Sequence, residues 1–441
     1  MSSLALAAFG LLFACAAVLS AHRSQSWLAP APIWNVCWCV LFIVTSVLGY
    51  GFAYPTGAVS ALVLLAALYN LPGLLLGSSI ERSPDVDRSV GAGALTPPVW
   101  LLAATAAVGF IGAVRLGLDL GTSVFALRSI DDLLSLGQQN AIAIFRGEAH
   151  FSFLVNLTFA VLQLGGALGG VRIALKPGRS AILAIAAVLA VAFLWSSITT
   201  QRSYVLVPII WFAAGYVASL VWLGKRAMPG RALLASAILG SGALLLVVFL
   251  RAVRTNGTGA GFSEATLAPT RLWLAGYVPT FAAWLEESEA TKPSFDLFHG
   301  VNALVQPLFG GSVSDGGGES NYYYVGAGMT SNAGTAMMTV IGTGGLVWGA
   351  LVIVLLGTLA HLVYRRAARG GPVAAAAYIG VVAASMWSTN AWFLGYGGRV
   401  LALALVVGLA TAALRLAERE ERRVARRASA NARRARALLR A

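Results

Sequence analysis

The chain has 441 residues, of which 58% are hydrophobic and only 11% are charged, and its formal net charge is +14. Soluble domains carry about 25% charged residues, so this composition excludes an ordinary soluble enzyme. Segments of alternating hydrophobicity, about ten residues long and typical of membrane barrels, do not recur. Because the backbone must be hydrogen-bonded internally in lipid, the sequence predicts an all-α polytopic membrane protein.

Eleven apolar stretches run from one end of the chain to the other, each long enough to cross about 30 Å of hydrocarbon. The first lacks a basic beginning and is followed by His22-Arg23, so we expect a retained helix instead of a signal peptide. Cys15, Cys37 and Cys39 fall in the first two spans. We expect them to act as small apolar residues there, and we expect neither a disulfide nor a metal site. The predicted spans are 4–21, 33–53, 57–77, 98–117, 151–172, 181–198, 204–223, 232–250, 334–362, 373–391 and 400–416.

The distribution of Lys and Arg predicts the orientation. With the C-terminus inside, 22 of these residues fall on inner segments and 9 on outer ones, as the positive-inside rule requires. We therefore expect an outer N-terminus, a cytoplasmic C-terminus and no nucleic-acid partner. The predicted organisation is a transmembrane catalytic domain, 1–416, containing a long extracytoplasmic loop, 251–331, between spans 8 and 9, followed by a basic helical tail, 417–441.

Three arginines stand at the predicted outer surface of spans 6 to 8. Arg202 lies in a turn too short to leave the bilayer level, so it needs a partner, either a protein carboxylate or a ligand phosphate. Arg251 ends span 8, and Arg254 would share its face on a helical continuation. This pair could form an anion-binding site, and a helix end held by salt bridges is an equal alternative.

The long loop contains most of the mixed polar chemistry. His299 can titrate near neutral pH, and Glu319 precedes Tyr322 and Tyr323. Aromatic faces beside polar groups are typical of sugar sites, although an interfacial aromatic belt is an equal alternative.

Two later segments return to the same predicted surface. Asn332-Ala-Gly-Thr335 introduces span 9, whose glycine cluster favours either a break or a close helix contact. Polar residues follow Trp387 at the outer end of span 10, and Arg399 comes next, so these groups could face a shared cavity.

These features occur in an order that resembles the oligosaccharide repeat-unit (O-antigen) polymerases, the Wzy-type proteins. The resembling parts are Thr200–Trp211, with its Gln201-Arg202-Ser203 turn, and Gly300–Gly357, with Asn332…Thr335 and Gly-x-Gly-Gly-x-x-x-Gly after it. The resemblance implies a GT-C-like fold of about 11 helices in the bacterial cytoplasmic membrane. It also implies metal-independent, cofactor-free, inverting glycosyl transfer at the outer face.

In that reaction an acceptor sugar hydroxyl attacks a glycan held on a polyprenyl diphosphate, and the lipid diphosphate leaves. Arg202 matches the family's arginine in the short turn, and topology adds Arg251, Arg254 and Arg399 as diphosphate-binding residues. His299 and Glu319 are the candidate bases. The substrate-binding candidates are Tyr322, Tyr323 and Asn332.

The expected partners are a polyprenyl-diphosphate-linked oligosaccharide, membrane lipid and a chain-length regulator. An O-antigen-ligase-like transferase is one alternative, and a lipid-glycan flippase or secondary transporter is another. No predicted span has Asp or Glu near its centre and no inverted repeat is evident, which counts against ion-coupled transport but not against a flippase.

Overall fold

The computed structural model describes residues 1–75, 96–121, 152–199, 201–232, 264–287, 296–306, 322–326 and 328–438, with a few isolated positions between. The chain forms helices throughout these ranges, apart from one small hairpin. The helices are α1 Ser3–Ser24, α2 Pro30–Leu48, α3 Thr56–Leu68, α4 Leu71–Leu75, α5 Val99–Asp119, α6 Phe153–Leu175, α7 Arg179–Thr199, α8 Ser203–Trp222, α9 Glu264–Ala275, α10 Tyr277–Glu286, α11 His299–Val305, α12 Ala336–Gly342, α13 Gly345–Ala368, α14 Pro372–Trp387 and α15 Gly397–Leu438. The strands are β1 Tyr323–Gly326 and β2 Met329–Ser331.

Eight of the described helices are long and apolar enough to cross a membrane. They are α1, α2, α5, α6, α7, α8, α13 and the first 20 residues of α15. The apolar helices α3 and α14 are shorter. The prediction of an all-α polytopic membrane protein is therefore confirmed, whereas predicted span 232–250 lies largely outside the described residues and the count of eleven stays a prediction.

Helix α6 is the centre of the bundle because its glycines let neighbouring backbones approach closely. A Cβ added at Gly166 would lie 2.5 Å from the carbonyl oxygen of Pro208 in α8, and Gly170 meets Phe212 of the same helix. On another side, Trp195 of α7 donates its indole N–H to Gly109 of α5 at 2.8 Å. This packing holds the first residues of α8 in a defined position.

Contacts between connecting segments group them at two ends of the bundle. At one end, which we call the loop end, the amino group of Met1 donates to Tyr54 O at 2.8 Å and Ala53 N donates to Val325 O at 2.8 Å. At the other end, which we call the basic end, Trp27 N donates to Arg226 O at 2.8 Å. Trp222 there donates to Gly370 O at 3.0 Å. The segments predicted to lie outside meet at the loop end, and those rich in Lys and Arg meet at the basic end.

The loop end is covered by α9, α10, the hairpin and α12. Arg271 of α9 fixes this layer to the turn after α2, because its Nε donates to Leu48 O at 2.8 Å and its Nη2 donates to Tyr50 O. Its guanidinium carbon also lies 3.4 Å from the centroid of the Tyr50 ring. In the antiparallel hairpin, Tyr323 pairs with Ser331.

The structure corrects the beginning of predicted span 334–362. The chain breaks after α12, and Gly345 has a φ of 84°, a left-handed value that glycine adopts readily. Helix α12 is buried in the loop-end layer, whereas α13 starts with the exposed side chains of Val347 and Trp348. The glycine cluster therefore produces a break, and the membrane-crossing helix begins at Gly345.

Candidate functional site

A cavity of about 460 Å³ opens at the loop end. Five separate segments line it: the turn before α8, the α9–α10 junction, strand β1, the chain from 332 to 339, and the chain from Trp387 to Arg399. The cavity therefore exists only once the bundle and its covering layer have packed together.

Arg202 occupies one wall because the turn before α8 is held by side-chain hydrogen bonds. Ser196 Oγ donates to Gln201 O at 2.9 Å, and Gln201 N donates to Thr199 Oγ1 at 3.2 Å. Arg202 is the residue before the first turn of α8, and its guanidinium carbon lies 4.4 Å from the centroid of the Trp273 ring. The short turn and this cation–π contact together hold the charge at the cavity.

Arg399 also lines the cavity, near the start of α15, and is only 5% exposed. Its guanidinium carbon lies 4.0 Å from the Tyr396 ring centroid and 4.7 Å from that of Trp387. Its Nη1 donates to Phe393 O at 3.4 Å. Aromatic faces thus stabilise a charge that is almost wholly removed from water.

The chain between β2 and α12 forms another part of the lining. Ala336 N donates to Ser388 O at 3.0 Å, which ties this chain to the end of α14. Thr335 is 1% exposed and Trp387 is 5% exposed. Neither the Thr335 hydroxyl nor the Trp387 indole nitrogen has a hydrogen-bond partner in the described part of the chain. Buried polar groups are normally paired, so these two groups are available to a ligand.

Tyr277, at the start of α10, extends the polar lining. Burial raises the pKa of Tyr277 to about 12, although the nearby Arg202 charge and hydrogen bonds with Trp273 and Asn390 lower it. The phenol therefore keeps its proton at neutral pH. It can orient a polar ligand, but it is not a general base there.

The electrostatics of the cavity favour an anion. Among the described residues that line it there are two guanidinium groups and no carboxylate. Helices α8 and α15 also begin at the cavity, and helix N-termini carry partial positive charge. The lining can therefore hold a phosphate-sized group beside aromatic surface.

The structure brings together four of the nine residues that the sequence nominated: Arg202, Arg399, Tyr323 and Asn332 all line the cavity. Tyr322, the residue before β1, does not line it and is 49% exposed.

His299 starts α11 and is also not a lining residue, although Gly300 packs against the backbone of Leu394 and Tyr396 at the cavity's edge. Arg251, Arg254 and Glu319 lie outside the described residues.

Trp273 and Tyr277 are lining residues that sequence reasoning did not nominate. Their segment is apolar and aromatic, and the sequence predicts only an interfacial helix there. The one signal that could have indicated them is their spacing, because a continuous helix would place a Trp and a Tyr four residues apart on one face. In the structure Trp273 lies in the last turn of α9 and Tyr277 begins α10, on either side of Gly276.

Within the described ranges, no group of three or more His, Cys, Asp or Glu side chains is placed to hold a metal ion. Metal-independent chemistry stays a prediction. Comparisons with protein-family models, with curated proteins and with solved structures found no match to this chain.

Proposed function

We propose that this protein is a glycosyltransferase that polymerises lipid-diphosphate-linked oligosaccharide repeat units into a surface polysaccharide. It would act at the outer face of the bacterial cytoplasmic membrane, with its C-terminus in the cytoplasm, as the resemblance to Wzy-type polymerases implies. The observation that carries the proposal is one cavity at the loop end that is lined by both Arg202 and Arg399.

The chemistry needs a cationic site for a leaving group. In inverting transfer, the acceptor hydroxyl oxygen forms a bond to the anomeric carbon while the bond from that carbon to the diphosphate oxygen breaks. The electron pair of the broken bond leaves with the lipid diphosphate. Guanidinium groups stabilise the charge that develops on that oxygen, and we assign this role to Arg202 and Arg399.

The sugar beside the diphosphate needs aromatic and hydrogen-bonding surface. Tyr323 and Asn332 line the cavity. The Thr335 hydroxyl and the Trp387 indole N–H, which have no partner among the described residues, add two donors. We assign these groups to the sugar and the phosphate oxygens.

A base must accept the proton of the attacking hydroxyl. His299 and Glu319 both remain candidates. His299 would have to reach the cavity from its edge, which requires a shift of the chain around Gly300.

The test is chain lengthening by the purified protein. It is incubated in detergent with a polyprenyl-diphosphate-linked oligosaccharide, and the products are separated by size. We expect a ladder of products that persists in a metal chelator. Loss of the ladder that added divalent metal restores would contradict the mechanism.

The same assay separates the alternatives. Transfer of the glycan to a different acceptor, without lengthening, would show that the protein is a ligase-like transferase instead of a polymerase. Unchanged glycan size, combined with movement of the lipid-linked glycan across reconstituted vesicles, would favour the flippase.

A further inference from the structure

A second cavity, of about 180 Å³, lies at the basic end, far along the bundle from the site described above. It is formed by the beginnings of α5 and α14, the ends of α6 and α8, and the middle of α15. All these elements belong to the apolar bundle, and in the orientation predicted from the Lys and Arg distribution the cavity faces the inner half of the membrane.

Its lining offers little to water. The Ser219 hydroxyl donates to Gly215 O of its own helix at 2.8 Å, and the Trp222 indole N–H donates to Gly370 O at 3.0 Å. Pro97, Pro98 and Pro372 have no backbone N–H to offer. Water needs several polar partners to occupy a cavity, whereas a hydrocarbon chain does not.

Positive charge stands directly beside this apolar lining. Arg172, one helical turn from Leu168 and Leu175, donates its Nη1 to Pro97 O at 3.4 Å. The Nε of Arg172 is buried and has no hydrogen-bond partner among the described residues. A guanidinium in that state favours an oxygen of an anion.

Two more basic residues follow the lining in sequence. Lys176 comes directly after Leu175, and Arg415 comes two residues after Ala413, and both side chains are exposed. Basic residues at this depth attract the anionic lipids of the inner leaflet. Apolar cavity and positive rim together match a molecule with a hydrocarbon chain and a negative headgroup.

We propose that the basic-end cavity binds one anionic phospholipid of the inner leaflet. An acyl chain occupies the space between α5, α6, α8, α14 and α15, and the phosphate accepts from Arg172. The polyprenyl substrate proposed above is excluded as the occupant, because its diphosphate would lie at the opposite end of the bundle.

The experiment uses the full chain, purified and stripped of lipid in mild detergent. Phosphatidylglycerol and phosphatidylcholine with identical acyl chains are added separately, and binding is measured by native mass spectrometry and by the thermal unfolding midpoint. We expect one phosphatidylglycerol per chain, with a saturable rise in the midpoint, and weaker binding of phosphatidylcholine. Equal binding of the two lipids would overturn the proposal.

Two variants locate the site. Arg172→Gln should weaken phosphatidylglycerol binding by about tenfold, the value of one charge-assisted hydrogen bond, whereas Arg179→Gln, an exposed arginine at the same end, should not. Ala410→Phe places a ring in the cavity and should abolish binding, whereas Ala404→Phe on an exposed part of α15 should leave it unchanged.

If Arg172→Gln fails to fold, the phenylalanine pair carries the test alone. Unchanged phosphatidylglycerol binding by folded Ala410→Phe protein would overturn the proposal.

Discussion

The loop-end cavity and the basic-end cavity have opposite linings. At the loop end, Arg202 and Arg399 lie against aromatic rings, and buried donors on Thr335 and Trp387 have no partner in the described chain. At the basic end, the polar groups of Ser219 and Trp222 are satisfied inside the protein and the lining is apolar. The loop-end lining therefore suits a polar, charged ligand, whereas the basic-end lining suits a hydrocarbon chain.

The largest expected effect comes from the loop-end arginines. We predict that Arg202→Ala and Arg399→Ala each reduce chain lengthening by about 100-fold or more, the usual loss when a group that stabilises transition-state charge is removed. The measurement is the product ladder in the purified assay, with insertion and folding checked by gel filtration.

Arg115→Ala is the control for that experiment. The Arg115 side chain is 49% exposed and pairs with Asp119 at 2.8 Å. Because Arg115 does not line the loop-end cavity, its loss should leave chain lengthening unchanged. Normal ladders from Arg202→Ala or Arg399→Ala protein would remove the basis for calling this cavity a diphosphate site.

A second prediction concerns the stability of the helix bundle on which both the loop-end and the basic-end cavity depend. Gly166→Leu should destabilise the whole bundle by about 1–3 kcal/mol, the usual cost of overpacking, because the added side chain meets the backbone of Pro208. Thermal unfolding in detergent measures this loss. Gly57→Leu is the matched helical control, since nothing lies within 4 Å of its added Cβ. Equal stability of the two variants would contradict the close α6–α8 contact.

The smallest effects come from removing one hydroxyl from each cavity. Thr335→Val should lower chain lengthening by about fivefold to tenfold, because a hydrogen bond to ligand is lost, yet it should leave stability unchanged because that hydroxyl has no partner in the described protein. Ser219→Ala should change neither activity nor lipid binding noticeably. If Thr335→Val unfolded the protein and Ser219→Ala altered the rate of chain lengthening, the proposed difference between the two cavities would be wrong.

The bundle could be predicted from sequence because length and hydropathy alone decide which segments cross lipid. Arg202, Arg399 and Asn332 could be nominated for a similar reason, since each stands next to a predicted span, where a polar side chain needs a partner. Local sequence was enough to place these residues at one surface.

The rest of the site depends on contacts between distant segments. Trp273 reaches Arg202 only because α9 packs over the bundle, and no local pattern reports that packing. Arg271 likewise fastens the covering layer to Tyr50, a residue 221 positions away in the sequence. The sequence places the start of this span at 334, whereas α13 begins at Gly345. Hydropathy does not reveal the break because it continues unchanged across it.

Helix α15 runs unbroken for 42 residues from Gly397 to Leu438. At 1.5 Å per residue its length is about 63 Å, which exceeds the full thickness of a bilayer with its headgroups. Its apolar, membrane-crossing part ends at Leu416, so the last 22 residues, 417–438, extend beyond that part, at the end of the helix opposite Arg399. A fluorescent reporter or affinity handle fused there would lie away from the residues that line the loop-end and basic-end cavities, which makes this end suitable for single-molecule attachment.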